Sequence, residues 1–245
     1  MAIRDVLIEL KKLSKDNGLS EPFLVGGLPR DKLLGRSRKV ADVDITTGDE
    51  SIFELAKLAA NSLKIAPMKL PDGHFQIYVN KVKFDFSSNF HSPDAMFFLN
   101  KAGVSNPTKM QLELFSRDFT CNTLIAPMSL VKISDPTGLG VNDIKNKILK
   151  TPLPPRITLR DDPKRVIRAI YLAAKLGFSI EDEVVKWSRE HSDNIALVSS
   201  GFSRQKLASA ARFDIDKTIF YLKEMKLLNV ISIPQVIFNN SRGLL

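Results

Sequence analysis

A pair of glycines followed by a pair of aspartates constrains this chain more than any other feature of its sequence. Phe23–Val25 is a short apolar run that predicts a buried strand, and it ends at Gly26 and Gly27. Proline at position 29 and glycine at position 35 predict a helix between them. Glycines let the backbone approach a bulky anion, and a helix start offers that anion free N–H groups.

The aspartates belong to a second predicted strand. Asp42 and Asp44 flank Val43 in a β-branched run, so both carboxylates lie on one face of the strand. Adjacent carboxylates repel each other unless a cation lies between them, and hard oxygen ligands suit Mg²⁺. Each motif alone is most often only a turn or a solvated strand face. In this order they indicate an anion-binding turn beside a metal site, which is typical of chemistry on a nucleoside triphosphate.

The combined pattern, Gly-Gly-x-x-Arg-Asp-x-x-Leu-x-Gly followed by Asp-Val-Asp, resembles the opening signature of the DNA polymerase β nucleotidyltransferase superfamily. It is most similar to the class II tRNA nucleotidyltransferase and bacterial poly(A) polymerase family. A basic run at residues 36–39 makes the spacing slightly longer than in that family. The resemblance implies that Asp42 and Asp44 hold two Mg²⁺ ions and that the triphosphate is bound by Gly26, Gly27 and Arg30.

Asp85 lies between Phe84 and Phe86 in a later strand pattern. An acid there must be paired, coordinated or exposed, and an outward-facing strand residue is the ordinary explanation. The segment also resembles the one that carries a third carboxylate in the superfamily. By that resemblance Asp85 is the third catalytic acid.

Ser-Arg-Asp-Phe-Thr-Cys-Asn at residues 116–122 is the next stretch with chemical content. From its residues it predicts a polar turn that starts a helix, with an acid near the positive end of the helix dipole. It also resembles the Arg-Arg-Asp-Phe-Thr-x-Asn segment of the same family. The resemblance implies that Arg117, Asp118 and Asn122 bind the ribose and phosphates of a nucleotide and select NTP over dNTP.

Asp162 precedes a proline at the start of a predicted helix that ends at Gly177, and it is a strong N-cap candidate. Arg165 and Arg168 follow at intervals of three residues, so they share a helix face with Asp162 or solvate it. The stretch resembles the family's Glu-Asp-x-x-Arg motif, with tyrosine at position 171 where relatives commonly carry arginine. The resemblance implies a nucleobase-binding role, because a carboxylate and a guanidinium together match cytosine and adenine but not uracil or guanine.

Composition favours a polyanionic partner. The 245 residues carry a net charge of +9, which suits nucleic acid. The single cysteine and the absence of a signal peptide or a bilayer-length apolar run predict a cytoplasmic protein with no membrane contact. No obligate protein partner is evident.

We predict an α+β fold in two domains, with the boundary at the proline-rich linker after residue 150. Residues 1–150 form a polymerase-β-like nucleotidyltransferase head, a small mixed sheet with helices, in which residues 88–115 are less regular. Residues 151–245 form an all-helical neck and reduced body. The helices and strands expected with these bounds are helices at 2–16, 49–63, 181–191, 203–213 and 216–229 and a hairpin at 75–86.

The resemblance implies a template-independent RNA nucleotidyltransferase that adds C and A to the 3′ end of tRNA, using CTP and ATP with two Mg²⁺ ions. Two alternatives from the same class stay open: a poly(A) polymerase and an enzyme that adds only CC or only A. A non-catalytic RNA-binding protein of the same fold is the alternative from another class. It needs neither the acid pair nor the base-reading motif.

Overall fold

The computed structural model describes residues 2–36, 40–70, 73–87 and 89–237. Most of the basic run that lengthens the first motif, residues 37–39, lies outside these ranges. The chain forms two compact units, Met1–Val141 and Asn142–Leu245. Helix α6 (Gly140–Lys145) contains the division between the two units.

The first unit is a six-stranded mixed sheet with helices, as the sequence predicts. Its strands follow the order β3-β4-β5-β2-β1-β6, and β2 pairs with β5 in parallel while the other neighbours are antiparallel. The strands are β1 (Phe23–Val25), β2 (Asp42–Thr46), β3 (Met68–Lys69), β4 (Phe75–Val79), β5 (Val82–Phe86) and β6 (Ile125–Pro127). The helices are α1 (Ile3–Asp16), α2 (Gly27–Leu33), α3 (Ser51–Ser62), α4 (Pro93–Lys101) and α5 (Lys109–Phe115).

The core of this unit lies on one side of the sheet, because the two central strands alternate. Val43 and Ile45 of β2, with Phe84 and Phe86 of β5, are almost fully buried in one cluster with apolar residues of α1 and α3. Each such side chain contributes roughly 1.5–3 kcal/mol relative to exposure. The polar residues between them, Asp42, Asp44, Lys83 and Asp85, therefore take the opposite face.

Strands β4 and β5 form the predicted hairpin through Asn80 and Lys81. Both residues have positive φ, 50° and 67°, the backbone that a two-residue hairpin turn requires. Residues 88–115 are more regular than the sequence indicates. Ser92 caps α4 by accepting from Ala95 N, and Thr108 forms a capping box at the start of α5.

The second unit is built around α8 (Lys164–Leu176), which packs against α11 and α12 and ends at Gly177 with φ of 72°. Its other helices are α7 (Pro155–Asp161), α9 (Asp182–Glu190), α10 (Ser192–Ala196), α11 (Ser200–Phe213) and α12 (Ile215–Glu224). One feature departs from the all-helical prediction for this part of the chain: β7 (Ile148–Leu149) pairs in parallel with a two-residue strand, β8 (Ser179–Ile180). Two-residue strands carry too little alternation to be read from sequence. In the part of the chain described, no helix has the length and apolar character needed to cross a membrane.

Candidate active site

Four charged side chains lie on the polar face of β2 and β5. The parallel register places Asp42 beside Lys83 and Asp44 beside Asp85. Lys83 Nζ lies 3.3 Å from Asp42 Oδ1 and 3.6 Å from Asp85 Oδ2, so one ammonium contacts carboxylates on both strands. Burial lowers the pKa of Lys83, but the carboxylates of Asp42, Asp85 and Asp44 outweigh burial and raise it, which keeps the ammonium charged.

Asp85 is the more enclosed of these acids, with its side chain 15% exposed against 64% for Asp42. Gln76 Nε2 donates to Asp85 Oδ2 over 3.0 Å, and His74 Nδ1 lies 3.7 Å from Oδ1. Burial raises the pKa of Asp85, but His74, Gln76 and the Lys83 charge outweigh burial and lower it. Oδ1 is buried and has no hydrogen-bond partner among the described residues.

Gly26 brings the turn after β1 against the Asp44 carboxylate. Its φ of 76° favours glycine, and a Cβ at this position would lie 2.6 Å from Asp44 Oδ2 and 3.3 Å from Arg117 Nη1. No side chain can be accommodated there without displacing the carboxylate. The first glycine of the motif is thus required by the close packing of backbone, acid and guanidinium.

A buried acid holds the Arg117 side chain. Arg117 Nη2 donates to Glu113 Oε1 over 3.1 Å and to Ser87 Oγ over 3.2 Å. Glu113 is fully buried, and it also accepts from Ser87 Oγ at 2.6 Å and from Asn89 N at 2.5 Å. These contacts satisfy the buried carboxylate and fix the orientation of the guanidinium.

A second network joins three of the predicted site residues. Arg30 is 3% exposed, and its Nη1 donates to Asn122 Oδ1 over 2.6 Å. Asn122 Nδ2 in turn donates to Asp118 Oδ1 over 2.9 Å. Arg30 also donates to Asp31 through Nε and Nη2. The chain thus ties the α2 helix to a short 3₁₀ turn at Thr120–Asn122, where the sequence predicted a longer helix.

In the second unit, Asp162 lies at the turn between α7 and α8. Its Oδ1 accepts from Lys164 N over 3.1 Å, which is the capping contact expected of it. Arg165 Nε lies 3.8 Å from Asp162 Oδ2, and Arg165 Nη1 donates to Thr158 O over 3.2 Å. The acid is 41% exposed and the arginine 22%, so both keep surface that a ligand can reach. Arg168 lies one turn further along α8.

Sequence reasoning missed three residues that organise the first unit: Lys83, Glu113 and Ser87. Two of them had a local signal, since Lys83 is two residues before Asp85 in a strand and Glu113 is four residues before Arg117. Within the described ranges, no group of three or more His, Cys, Asp and Glu side chains is arranged to hold a metal ion. Asp42 and Asp44 are therefore the acid pair open to such an ion, while Asp85 turns toward Lys83 and Gln76.

Comparison with known proteins identifies the family. Residues 22–150, more than half of the chain, match the model of the poly(A) polymerase head domain. The chain belongs to this family of nucleotidyltransferase head domains, as the glycine and aspartate motifs indicated.

Curated relatives extend the similarity beyond the head. A tRNA nucleotidyltransferase of Schizosaccharomyces pombe is 31% identical over 192 residues, which cover 72% of this chain and 40% of the relative. A CCA-adding enzyme of Staphylococcus aureus is 26% identical over 216 residues, which cover 88% of this chain and 52% of the relative. The chain thus spans about half the length, or less, of these relatives.

Solved structures share the fold. The Bacillus stearothermophilus CCA-adding enzyme in complex with CTP matches with a TM-score of 0.71 at 20% identity, over 94% of this chain and 54% of that one. A tRNA nucleotidyltransferase complexed with a primer tRNA and an ATP analog matches with a TM-score of 0.65 at 23% identity, over 91% of this chain and 62% of that one. At these identities the likeness concerns the fold.

Proposed function

We propose that this chain is a template-independent RNA nucleotidyltransferase that adds C and A to the 3′ end of tRNA, with CTP and ATP as substrates. The observation that carries the proposal is the packing of Gly26 and Arg117 against Asp44, on the sheet face that also presents Asp42. An acid pair beside a tight glycine turn and a fixed guanidinium suits phosphoryl chemistry on a nucleotide. The relatives named above support tRNA as the acceptor.

The acids suit a divalent cation, which the superfamily resemblance implies. Asp42 and Asp44 offer hard oxygen donors on one strand face, and Asp85 Oδ1 is a buried oxygen without a hydrogen-bond partner among the described residues. Asp42 and Asp44 would hold Mg²⁺, and Asp85 would complete the site or act as base. When bound, a pair of such ions lowers the pKa of the RNA 3′-hydroxyl and neutralises the leaving pyrophosphate.

The remaining residues of the first unit would bind the nucleotide. Gly26 and Gly27 leave room for the triphosphate to approach the backbone, and Arg30 supplies charge from below the turn. The sugar would be held by the segment that contains Arg117, Asp118 and Asn122. Its internal hydrogen bonds keep these groups in place before the nucleotide arrives, so less ordering entropy is lost on binding.

Base choice would rest on the second unit. Asp162 would accept from the exocyclic amine of cytosine or adenine, and Arg165 would donate to the adjacent ring nitrogen. The exposed part of each side chain supports this role, and so does the orientation of Arg165 by Thr158 O. Arg168 would contact the nucleotide from the next turn of α8.

The division of labour between residues 1–150 and 151–245, catalysis in the first and base and RNA binding in the second, stays a prediction. The match of the head-domain family to residues 22–150 supports it. A cytoplasmic location stays a prediction as well, supported by a single cysteine, Cys121, which is buried and free.

The decisive experiment uses tRNA transcripts that end before C, after C and after CC, each incubated with one NTP at a time and Mg²⁺. We expect CTP to extend the first two transcripts by C and ATP to extend only the last by one A. A long A tail on all three would identify a poly(A) polymerase, and extension at only one stage a partial enzyme. RNA binding without any extension would indicate the non-catalytic protein.

A further inference from the structure

Lys83 holds an unusual place for a lysine, between the carboxylates of two strands. Its Nζ lies 3.3 Å from Asp42 Oδ1 and 3.6 Å from Asp85 Oδ2, and its side chain is only 27% exposed. The parallel register puts it on the same sheet face as the proposed metal ligands Asp42 and Asp44. A cation already contacts one of the two oxygens that a divalent ion would need.

The contacts of Asp85 show that this acid is committed to the lysine. Its Oδ2 accepts from Gln76 and contacts Lys83, while His74 faces Oδ1 from 3.7 Å. All three neighbours are donors or cations, and two of them approach from β4 and β5. Asp85 therefore anchors the ammonium from the side opposite to Asp42.

Electrostatics gives this arrangement a consequence. The three carboxylates and one ammonium of this face leave two negative charges, which one divalent ion neutralises. An ammonium and a divalent ion cannot share Asp42 Oδ1 without strong repulsion, because like charges a few Å apart repel even near a protein surface. Binding at Asp42 thus requires Lys83 to withdraw toward Asp85.

We propose that Lys83 is an internal cation that competes with the divalent ion for Asp42, and that Asp85 is a positioning residue that draws Lys83 away. This proposal rests on the proposed nucleotidyltransferase function, since it concerns the same acid pair. It assigns regulation of metal affinity to Lys83. It also gives Asp85 a role through the lysine rather than as a metal ligand.

The test measures Mn²⁺ binding to the whole chain without nucleotide or RNA, by electron paramagnetic resonance and titration calorimetry. Lys83→Met is expected to bind Mn²⁺ about fivefold more tightly, the effect that loss of one partly exposed ion pair allows. Lys83→Arg keeps the charge and is expected to bind within about twofold of the wild type. Lys57→Met removes an exposed lysine of α3 and controls for net charge. Unchanged or weaker binding by Lys83→Met overturns the proposal.

A double-mutant cycle separates the two roles of Asp85. In the wild type, Asp85→Asn is expected to weaken Mn²⁺ binding, because Lys83 then turns fully to Asp42. In the Lys83→Met background the same change is expected to leave Mn²⁺ affinity unchanged. Equal weakening in both backgrounds would make Asp85 a direct ligand and overturn its positioning role. Thermal unfolding in EDTA shows that each variant is folded, and Lys83→Gln replaces Lys83→Met if the latter is not.

These outcomes are independent of the proposed function. If the chain binds Mn²⁺ with the predicted order of affinities but adds no nucleotide to any transcript, the nucleotidyltransferase proposal fails and the Lys83 inference stands. If transcripts are extended normally and Lys83→Met shows wild-type Mn²⁺ affinity, the opposite holds.

Discussion

Arg117 and Glu113 form an ion pair, 3.1 Å between Nη2 and Oε1, in which the acid is fully buried and the arginine side chain 11% exposed. The two residues are one helical turn apart at the end of α5, and Ser87 from the β5 side donates to the same carboxylate. The guanidinium is thereby held beside Gly26 and Asp44. Stability and nucleotide binding are thus coupled at this residue pair.

The first prediction concerns Glu113→Gln, which keeps the shape of the side chain and removes its charge. Removing one partner of a buried ion pair leaves the other uncompensated, so we expect a loss of about 3 kcal/mol in the free energy of unfolding. Urea denaturation measures it, with Glu54→Gln on the exposed face of α3 as control. We also expect a raised KM for CTP, because Arg117 is no longer oriented. A urea midpoint equal to that of the wild type would contradict this account.

The second prediction concerns the acid pair. Asp42→Ala and Asp44→Ala are each expected to reduce nucleotide incorporation below detection, while circular dichroism shows an intact fold. Removing a carboxylate from this polar face takes away a metal ligand but no core packing. Asp16→Ala at the exposed end of α1 is the control. Wild-type turnover by either variant would exclude the two-ion assignment.

The third prediction concerns the choice of sugar. The chain is expected to prefer CTP over dCTP, and Asn122→Ala is expected to reduce this preference. Loss of Asn122 leaves the Arg30 guanidinium and the Asp118 carboxylate without a shared partner, so we also expect a cost of about 1–3 kcal/mol in stability. A direct competition between CTP and dCTP, at a temperature where the variant is folded, measures the preference. Equal use of both by the wild type would remove the sugar-binding role from this segment.

The fourth prediction is a pH dependence of stability set by Asp49. Burial raises the pKa of Asp49, but hydrogen bonds from Ser20 and Ser51 outweigh burial and hold it below its ordinary value of about 3.9. The unfolded chain therefore binds the proton first as the pH falls. The stabilisation is complete above about pH 4 and is lost at lower pH.

Asp49→Asn separates this contribution from general acid unfolding. Asparagine cannot titrate, so its stability deficit relative to the wild type is expected to be largest above pH 5 and to shrink below pH 4. Urea unfolding at pH 3 to 7 measures the difference. A deficit that stays constant over this range would show that Asp49 does not carry the effect.

The sequence predicted those parts of the site that depend on local spacing. Asp42 and Asp44 share a face because strand side chains alternate, and the hairpin at Asn80 and Lys81 follows from its two-residue turn. The parallel register of β2 with β5, which places Lys83 beside Asp42, depends on pairing between distant segments. No local pattern specifies such a register, so the lysine was left out of the predicted site.

Burial of Glu113 is the other lesson. Glutamate is rarely buried without a partner, so an acid in a short helix is expected at the surface. Its partners come from Arg117 on the following turn and from Ser87 and Asn89, more than twenty residues earlier. Only the folded chain brings that set together. The helices of residues 88–115 were in contrast readable, since Ser92 and the pair Thr108 and Gln111 are ordinary capping signals.

The last prediction concerns base choice in the second unit. Asp162 caps α8 through Lys164 N and lies near Arg165 Nε, so it is placed both to stabilise the helix and to read a base. Asp162→Asn distinguishes the roles. Asparagine caps a helix about as well as aspartate, so a capping role alone predicts little change in either stability or substrate choice.

If Asp162 reads the exocyclic amine of the base, the amide of Asp162→Asn can rotate and offer a donor, and discrimination against UTP and GTP relaxes. Arg165→Ala is then expected to reduce the use of CTP and ATP together, because one guanidinium serves both bases. A good bidentate contact is worth roughly 1–3 kcal/mol, so the change in relative kcat/KM is expected to be about tenfold to a hundredfold. The measurement is kcat/KM for all four NTPs, with Lys164→Gln at the neighbouring exposed position as control. Unchanged ratios with an unchanged melting temperature would leave base choice to residues other than Asp162.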